Sequence, residues 1–281
     1  MLNGPDPGRN DLQPPDASTE FDRTTRIQPQ GDGTSGRFDV ELGEGWSSLI
    51  GVHGGYLAAI AVRGAEAVVA DRPVRTLTTS FLRPGRVGPA TLAVDEVRHG
   101  RSITTLVAEL YQDERLLTTT RLTLVAEQGG LEWASPDVDV IAAPEDCVAV
   151  QPLPGVAHFE QAEGVLDPAG VPFTGGDRAR VAGYIRPLGN RPVDAAWLAM
   201  AVDWFPPPAF VRVDPPTGGV SVDLTTHIHR PRPRNTDQGW LAASFGVETS
   251  TGGLAVEHGW IAEPDGALIA ESFHTRWTAL R

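Results

Sequence analysis

Ser80-Phe81-Leu82-Arg83-Pro84 and His227-Ile228-His229-Arg230-Pro231 are two versions of one phrase. Each closes a strand-like stretch, and each lies downstream of an Ala-rich apolar segment with helical character. The two arginines are 147 positions apart (230 − 83 = 147), about half of the 281-residue chain. Self-similarity at that scale indicates two copies of one unit rather than a short-period solenoid.

Reading outward from the first copy, Phe38, Val40 and Leu42 alternate with polar neighbours and predict a strand within 24–42. The two glycines of His53-Gly54-Gly55-Tyr56 allow an unusual turn, and a helix is expected over 57–70. Its apolar residues cover nearly all faces, so it must be buried on most sides. Asp71-Arg72-Pro73 stops it. Strands are expected at 75–82, 90–98, 102–112 and 116–125, with His99-Gly100-Arg101 and Asp113-Glu114-Arg115 as hairpin turns. The second copy restarts with a strand at 181–186 and a helix over 194–205, ended by Pro206-Pro207-Pro208. Strands follow at 220–230, 240–249, 254–262 and 267–278. A buried helix followed by an antiparallel meander, twice, is an α+β pattern. Units are expected at 22–126 and 177–281. Residues 127–176, with Gln128-Gly129-Gly130 and several prolines, read as a linker. Residues 1–21 are polar and Pro-rich, and a disordered tail is expected there.

Composition narrows the function. A net charge of −13 disfavours nucleic acid as a partner, because that interface needs cationic surface. No run of about 18 uncharged apolar residues occurs, so no membrane span is expected. The N-terminus has no apolar core of a secretory signal. The single cysteine, Cys147, cannot form an internal disulfide or a Cys-based zinc site, and a reducing cytoplasm is the simplest setting. There is no Gly-x-Ser-x-Gly elbow, phosphate loop or dinucleotide fingerprint. His227 and His229 have a spacing that can suit a metal, but no third ligand accompanies them. No metal or cofactor is expected.

Several segments together resemble acyl-CoA thioesterases of the type II class. They are Thr78 to Gly85, Val94 to Ser102, His53-Gly54-Gly55-Tyr56, Asp203, Leu224 to Pro231 and Gly266-Ala267-Leu268-Ile269-Ala270. The resemblance spans about residues 22–278. It implies two tandem hotdog units, each a long helix wrapped by an antiparallel sheet. It also implies hydrolysis of an acyl-CoA or acyl-carrier thioester without a cofactor. In that family an aspartate, a Thr or Ser, and a glutamine hold the attacking water. Asp203 matches the aspartate, and Ser221 and Thr225 are the best matches to the hydroxyl. The glutamine position falls on His274, which can orient water and, unlike glutamine, can also take a proton.

The residues themselves add to this. Asp203 lies among Met200, Ala201, Val202, Trp204 and Phe205, and an unpaired buried carboxylate costs several kcal/mol. Simple alternation puts Ser221, Asp223, Thr225, His227 and His229 on one strand face. Backbone N–H groups of Gly54, Gly55 and Tyr56 at a helix start could meet an oxyanion, or the glycines could only permit close packing. His53 reads as structural or substrate-contacting. Arg83 and Arg230 are candidate phosphate ligands with a structural alternative, and Arg98 and Arg101 are weaker ones. An acyl-sized hollow beside Asp203 is expected. A second function fits the same fold, namely a hotdog protein that binds, cyclises or dehydrates an acyl or polyketide chain without hydrolysing it. Hotdog sheets also pair edge to edge, so further homodimerisation is compatible with the sequence.

Overall fold

The computed structural model describes residues 19–31, 36–127, 129, 131, 141–189, 191–213, 219–231 and 239–278. The first half holds α1 (Glu20–Thr24), β1 (Ile27–Pro29), β2 (Arg37–Leu42), α2 (Gly54–Val68), β3 (Val74–Phe81), β4 (Gly88–His99), β5 (Ile103–Gln112) and β6 (Arg115–Val125). The second holds β7 (Val148–Ala149), β8 (Ala162–Leu166), β9 (Arg180–Pro187), α3 (Ala195–Ala201), β10 (Val220–Ile228), β11 (Leu241–Thr251), β12 (Leu254–Ala262) and β13 (Leu268–Trp277).

These strands form one antiparallel sheet in the order β1-β2-β4-β5-β6-β3-β10-β13-β12-β11-β9-β8-β7. The two halves repeat the same local order, β2-β4-β5-β6-β3 against β9-β11-β12-β13-β10. They join where the equivalent strands β3 and β10 pair, with Ser80 opposite Asp223 and Thr76 opposite His227. The repeated phrase is the same hydrogen-bonded device in each half. Leu82 and Arg83 both donate their N–H to Leu117 O, at 2.9 and 3.2 Å. His229 and Arg230 do the same to Ile269 O, at 2.9 and 3.3 Å.

Local chemistry explains most elements. Phe38, Val40 and Leu42 of β2 are buried while the residues between them are not, as period-two alternation requires. Asp113 and Glu114 turn β5 into β6 with φ of 49° and 59°, the left-handed pair that matches strand twist in a two-residue hairpin. In α2 every residue from Gly55 to Val62 is buried. Both helices belong to one hydrophobic cluster with the inner faces of the sheet. They run antiparallel. The start of α2 meets the end of α3, and at the far end Arg63 Nη2 bonds Asp194 Oδ2 at 2.9 Å.

Three expectations are corrected. The second helix is short, seven residues rather than a long one over 194–205. The chain leaves the helix at Val202, ahead of the three prolines, so Asp203 lies in the turn beyond the helix end. Part of the expected linker is sheet, since β8 pairs with β9, Ala162 opposite Pro187. The rest of that stretch includes residues 132–140, which lie outside the described residues. The expected tail reaches into the fold at its end. Phe21 is buried, and Arg191 bonds Asp22 Oδ1 at 2.7 Å while its guanidinium sits 4.6 Å from the Phe21 ring centre. Residues 1–18 lie outside the described residues. No described helix is long and apolar enough to cross a membrane.

Candidate active site

Asp203 is placed by the meeting of the two helices. The turn after α3 points its carboxylate at the first turn of α2, where Gly55 N–H donates to Oδ2 at 2.7 Å. A helix start carries unpaired N–H groups and partial positive charge, so it suits a carboxylate. The approach requires glycine. A Cβ on Gly55 would lie 2.7 Å from Met200 O and 2.8 Å from Asp203 Cβ. A Cβ on Gly54 would lie 3.0 Å from Asp203 Oδ2 and from the Phe81 ring. Gly55→Ala is therefore expected to force the helix ends apart, destabilise the protein by about 1–3 kcal/mol and displace Asp203. Denaturant unfolding together with a turnover assay checks it, and an unshifted midpoint would refute the tight contact.

The other oxygen, Oδ1, accepts from Arg276 Nη2 at 2.8 Å. Arg276 Nε donates to Glu257 Oε1, also at 2.8 Å. His274 lies 3.4 Å from Asp203 Oδ1 through Nδ1, and its Nε2 is 2.9 Å from Ser221 Oγ. Arg276 Nη1 is 3.3 Å from the same Oγ. Two carboxylates thus share one guanidinium, and a serine and a histidine adjoin the set. Asp203, Glu257, His274 and Arg276 are all buried, while Ser221 is partly exposed.

His53 closes the far side. Its Nδ1 accepts the Tyr56 N–H at 3.2 Å, which puts the proton on Nε2. That N–H donates to Asp203 O at 2.9 Å. The ring stacks on His158 with centroids 4.2 Å apart. His158 comes from the stretch read as linker, and Trp204 Nε1 fixes its carbonyl at 2.9 Å.

Burial sets the charge states. It pushes His53 down from its ordinary value, and the nearby Asp203 only partly offsets this. His158 is pushed down to about 2 by burial and its neighbour His53. His274 falls to about 3, by burial and by the Arg276 charge. Burial works against charge on Asp203, but His53, His274, Arg276 and the Gly55 N–H outweigh it and hold the carboxyl well below the usual range. Burial drives Glu257 the other way, above its ordinary value, against the pull of Arg276. At neutral pH the three imidazoles are neutral and Asp203 is ionised.

Asp203, Ser221, His274, His53, Gly54 and Gly55 therefore come together. Thr225 does not join them. A β-bulge between Ser221 and Asp223 places both Val222 and Asp223 against Thr275, which inverts the alternation beyond it. Ser221 faces inward with Leu224, while Thr225 turns to the other face and meets Thr78 Oγ1 at 3.0 Å. The face expected to carry both hydroxyls is thereby corrected. Tyr56 is also corrected. Its side chain is core, stacked on Trp46 at 4.7 Å with its hydroxyl donating to Thr24 O at 2.8 Å. The N–H groups of Gly55 and Tyr56, expected to await an oxyanion, are bonded to Asp203 and His53. Arg83 is exposed, donates to Leu116 O at 2.9 Å, and lines a cleft of about 420 Å³ with Arg86 and Arg115. That cleft reaches Val52, next to His53. Asp203 lines neither this cleft nor the larger one beside β2. Arg98 and Arg101 are exposed at the β4–β5 hairpin, apart from both. Arg230 bonds Glu263 at 2.8 Å.

Arg276 and Glu257 were missed by sequence reading, although a signal exists. Arg276 lies two positions from His274 on β13, and Glu257 alternates with buried Ala255 on β12, so period two puts both on the inner face.

The fold and this cluster define a tandem hotdog protein with a buried acidic site between its halves. Family profiles agree: residues 42–126 match the acyl-CoA thioesterase N-terminal domain, and residues 144–277 match the C-terminal domain. The chain belongs to the acyl-CoA thioesterase family and is a thioester hydrolase. Among solved structures, a provisionally assigned thioesterase II from Thermobifida fusca is 25% identical, with TM-score 0.81 over 93% of this chain and 98% of that one. The acyl-CoA thioesterase II TesB2 from Mycobacterium marinum shares the fold at 18% identity, with TM-score 0.74 over 93% and 98%. The dehydratase domain of RzxB from Pseudomonas fluorescens is more distant in shape, 13% identical with TM-score 0.51 over 84% and 93%. No curated protein sequence matches the chain.

Proposed function

We propose that the protein hydrolyses a fatty-acyl or related acyl thioester at the Asp203–His274–Ser221 cluster. The observation that carries this reading is the buried, ionised Asp203, fixed by a helix start on one oxygen and by Arg276 on the other, with His274 between it and a partly exposed Ser221. Asp203 is too weak a base to take a water proton outright. It holds the His274 ring and favours the imidazolium that forms when that ring accepts a proton. His274, neutral in the resting site, takes the proton of the water that releases the acid. Arg276 lies beside Ser221 and offers positive charge where the carbonyl oxygen becomes anionic.

The carrier is coenzyme A in this reading, with Arg83, Arg86 and Arg115 in the adjoining cleft as phosphate partners. Lone Cys147 and the lack of any need for a disulfide suit a cytoplasmic role in fatty-acid metabolism. A homodimer through the sheet remains compatible with the fold.

The test offers purified protein a panel of acyl-CoA esters of graded chain length while free thiol is followed. Thiol release that falls at least about 100-fold in Asp203→Asn supports the proposal. Silence at every chain length, with measurable acyl binding, would favour the non-hydrolytic alternative. The pH profile is a second check. Because His274 is held down to about 3, the rate should stay level on acidification from pH 8 until the fold itself fails. An inflection between pH 6 and 7 would mean that His274 is not the buried neutral base.

A further inference from the structure

Four atoms lie in sequence: Ser221 Oγ, His274 Nε2 at 2.9 Å, then His274 Nδ1 and Asp203 Oδ1, 3.4 Å apart. The proton positions follow from the neighbours. His274 Nδ1 is buried without a hydrogen-bond partner, and two carboxylates face it, Asp203 Oδ1 at 3.4 Å and Glu257 Oε2 at 3.8 Å. Acceptors on that side hold the ring proton on Nδ1, which leaves Nε2 with its lone pair toward Ser221. Arg276 Nη1 approaches Ser221 Oγ as a donor, so the serine's own hydrogen is free to point at Nε2. Hydrogen bonds of catalytic groups are commonly long before substrate arrives, and the 3.4 Å step falls in that class.

Exposure gives a second, independent argument. Asp203 is 6% exposed, His274 2%, Arg276 7% and Glu257 4%, whereas Ser221 is partly open. A water acting directly on the thioester would have to reach His274 Nε2, and Ser221 Oγ already occupies that position. The group of this cluster that an incoming carbonyl meets is the serine hydroxyl.

We propose that Ser221 is the nucleophile, and that hydrolysis proceeds through an acyl-serine ester with His274 as base and Asp203 as its orienting carboxylate. This rests on the thioesterase reading above and assigns its first step. The Ser221 O–H bond breaks, its proton goes to His274 Nε2, and Oγ bonds the carbonyl carbon while the π pair moves to oxygen beside Arg276. Collapse re-forms the carbonyl and breaks the carbon–sulfur bond. The leaving thiolate takes the proton from Nε2. Water then gives a proton to the same nitrogen and attacks the ester carbon. The second collapse expels Ser221 Oγ, which recovers the proton. The balance is thioester plus water giving acid plus thiol, with no redox partner. The three groups are those of serine hydrolases on unrelated folds, a constellation recognised by geometry rather than by chain order.

The experiment uses the full chain, a fluorophosphonate probe, and octanoyl-CoA and palmitoyl-CoA as substrates. Peptide mapping should place the phosphonyl group on Ser221 of the wild-type protein, and an acid-quenched reaction should carry an acyl group on the same peptide or show an initial burst of thiol. His274→Gln keeps a side-chain hydrogen bond but has no base, so labelling and thiol release should both fall at least about 100-fold. A glutamine that only needs to hold water would leave thiol release near wild type, and that result overturns the proposal. So does a Ser221→Ala variant that keeps more than about a tenth of the wild-type rate, or hydrolysis by a wild type whose Ser221 stays unlabelled. If wild type releases thiol from neither ester, the thioesterase reading falls and takes this step with it. The wild-type labelling does not depend on any variant folding.

Discussion

Arg276→Met will destabilise the protein by about 3–5 kcal/mol, because it strands two buried carboxylates at once. Arg276 bonds Asp203 and Glu257 at 2.8 Å each, and both acids are buried. Their mutual repulsion is now masked by one guanidinium. Without it, Asp203 retains the Gly55 N–H, whereas Glu257 keeps no cation in reach among the described residues. The double variant Arg276→Met/Glu257→Leu removes the stranded acid together with its partner. Replacing a buried ion pair by apolar residues of similar size is often neutral or favourable, so the second change should restore most of the loss. Urea unfolding of wild type, Arg276→Met, Glu257→Leu and the double variant gives the cycle directly. An Arg276→Met midpoint within experimental scatter of wild type would mean that the pair is not made in solution.

The second large effect is acid instability. His53, His158 and His274 are all held below their ordinary value of 6.5, His274 to about 3 and His158 to about 2. In the unfolded chain each takes up a proton as the pH falls through that ordinary value, while the folded chain does not. The unfolded state therefore binds more protons between about pH 6.5 and 3, and stability falls as pH falls through that window. His158 and His274 each contribute about 1.4 kcal/mol per pH unit across that window, about 3 kcal/mol per unit together, and His53 adds in the same direction. Glu257 opposes them, because its raised pKa lets the folded state take a proton first. Asp203 and Asp194, both held low, add to the loss only once the pH nears their unfolded value of 3.8. Against a total stability of about 5–15 kcal/mol, a loss of this size is enough to unfold a protein at the lower end of that range by about pH 4. Denaturation midpoints measured from pH 8 to 5 test this, and His158→Phe should reduce the slope by about 1.4 kcal/mol per pH unit. A level profile across pH 7 to 5 would show that the imidazoles charge freely in the native state.

In the proposed mechanism, acid unfolding and catalysis are linked through the same burial. The burial that keeps His274 neutral at rest also makes the fold intolerant of a charged imidazole. The family's glutamine at this position carries no such liability. In that mechanism histidine adds a base at the cost of acid tolerance, with the Arg276 charge beside it.

How much of this was legible depends on which distances matter. The repeat of Arg83-Pro84 and Arg230-Pro231, the strand alternation and the apolar helix are local patterns. They follow from backbone periods of 2 and 3.6, which a linear chain displays directly. Asp203 could be singled out because an ionisable group on an apolar stretch is visible without coordinates, whereas His274 was reached only through the family resemblance, at the place of its glutamine. Thr225 shows the limit. Its parity matches Ser221 in the chain, and only the bulge at Val222 separates them. A bulge is a property of two paired strands and has no signature in one of them. Likewise α3 ends at Ala201, ahead of the three prolines, and the turn after it carries Asp203 to the start of α2, a contact that no local pattern displays.

From the order of residues alone came two like units, their antiparallel sheets, the buried helix α2 and the carboxylate of Asp203 on its apolar stretch. The tertiary structure decided the rest: which hydroxyl faces inward, that Arg276 bridges Asp203 to Glu257, and that His158 stacks on His53. Those facts join side chains that lie apart along the chain, as far apart as His53 and His158, and only the pairing of β13 with β10 and β12 and the meeting of the two helix ends bring them into contact.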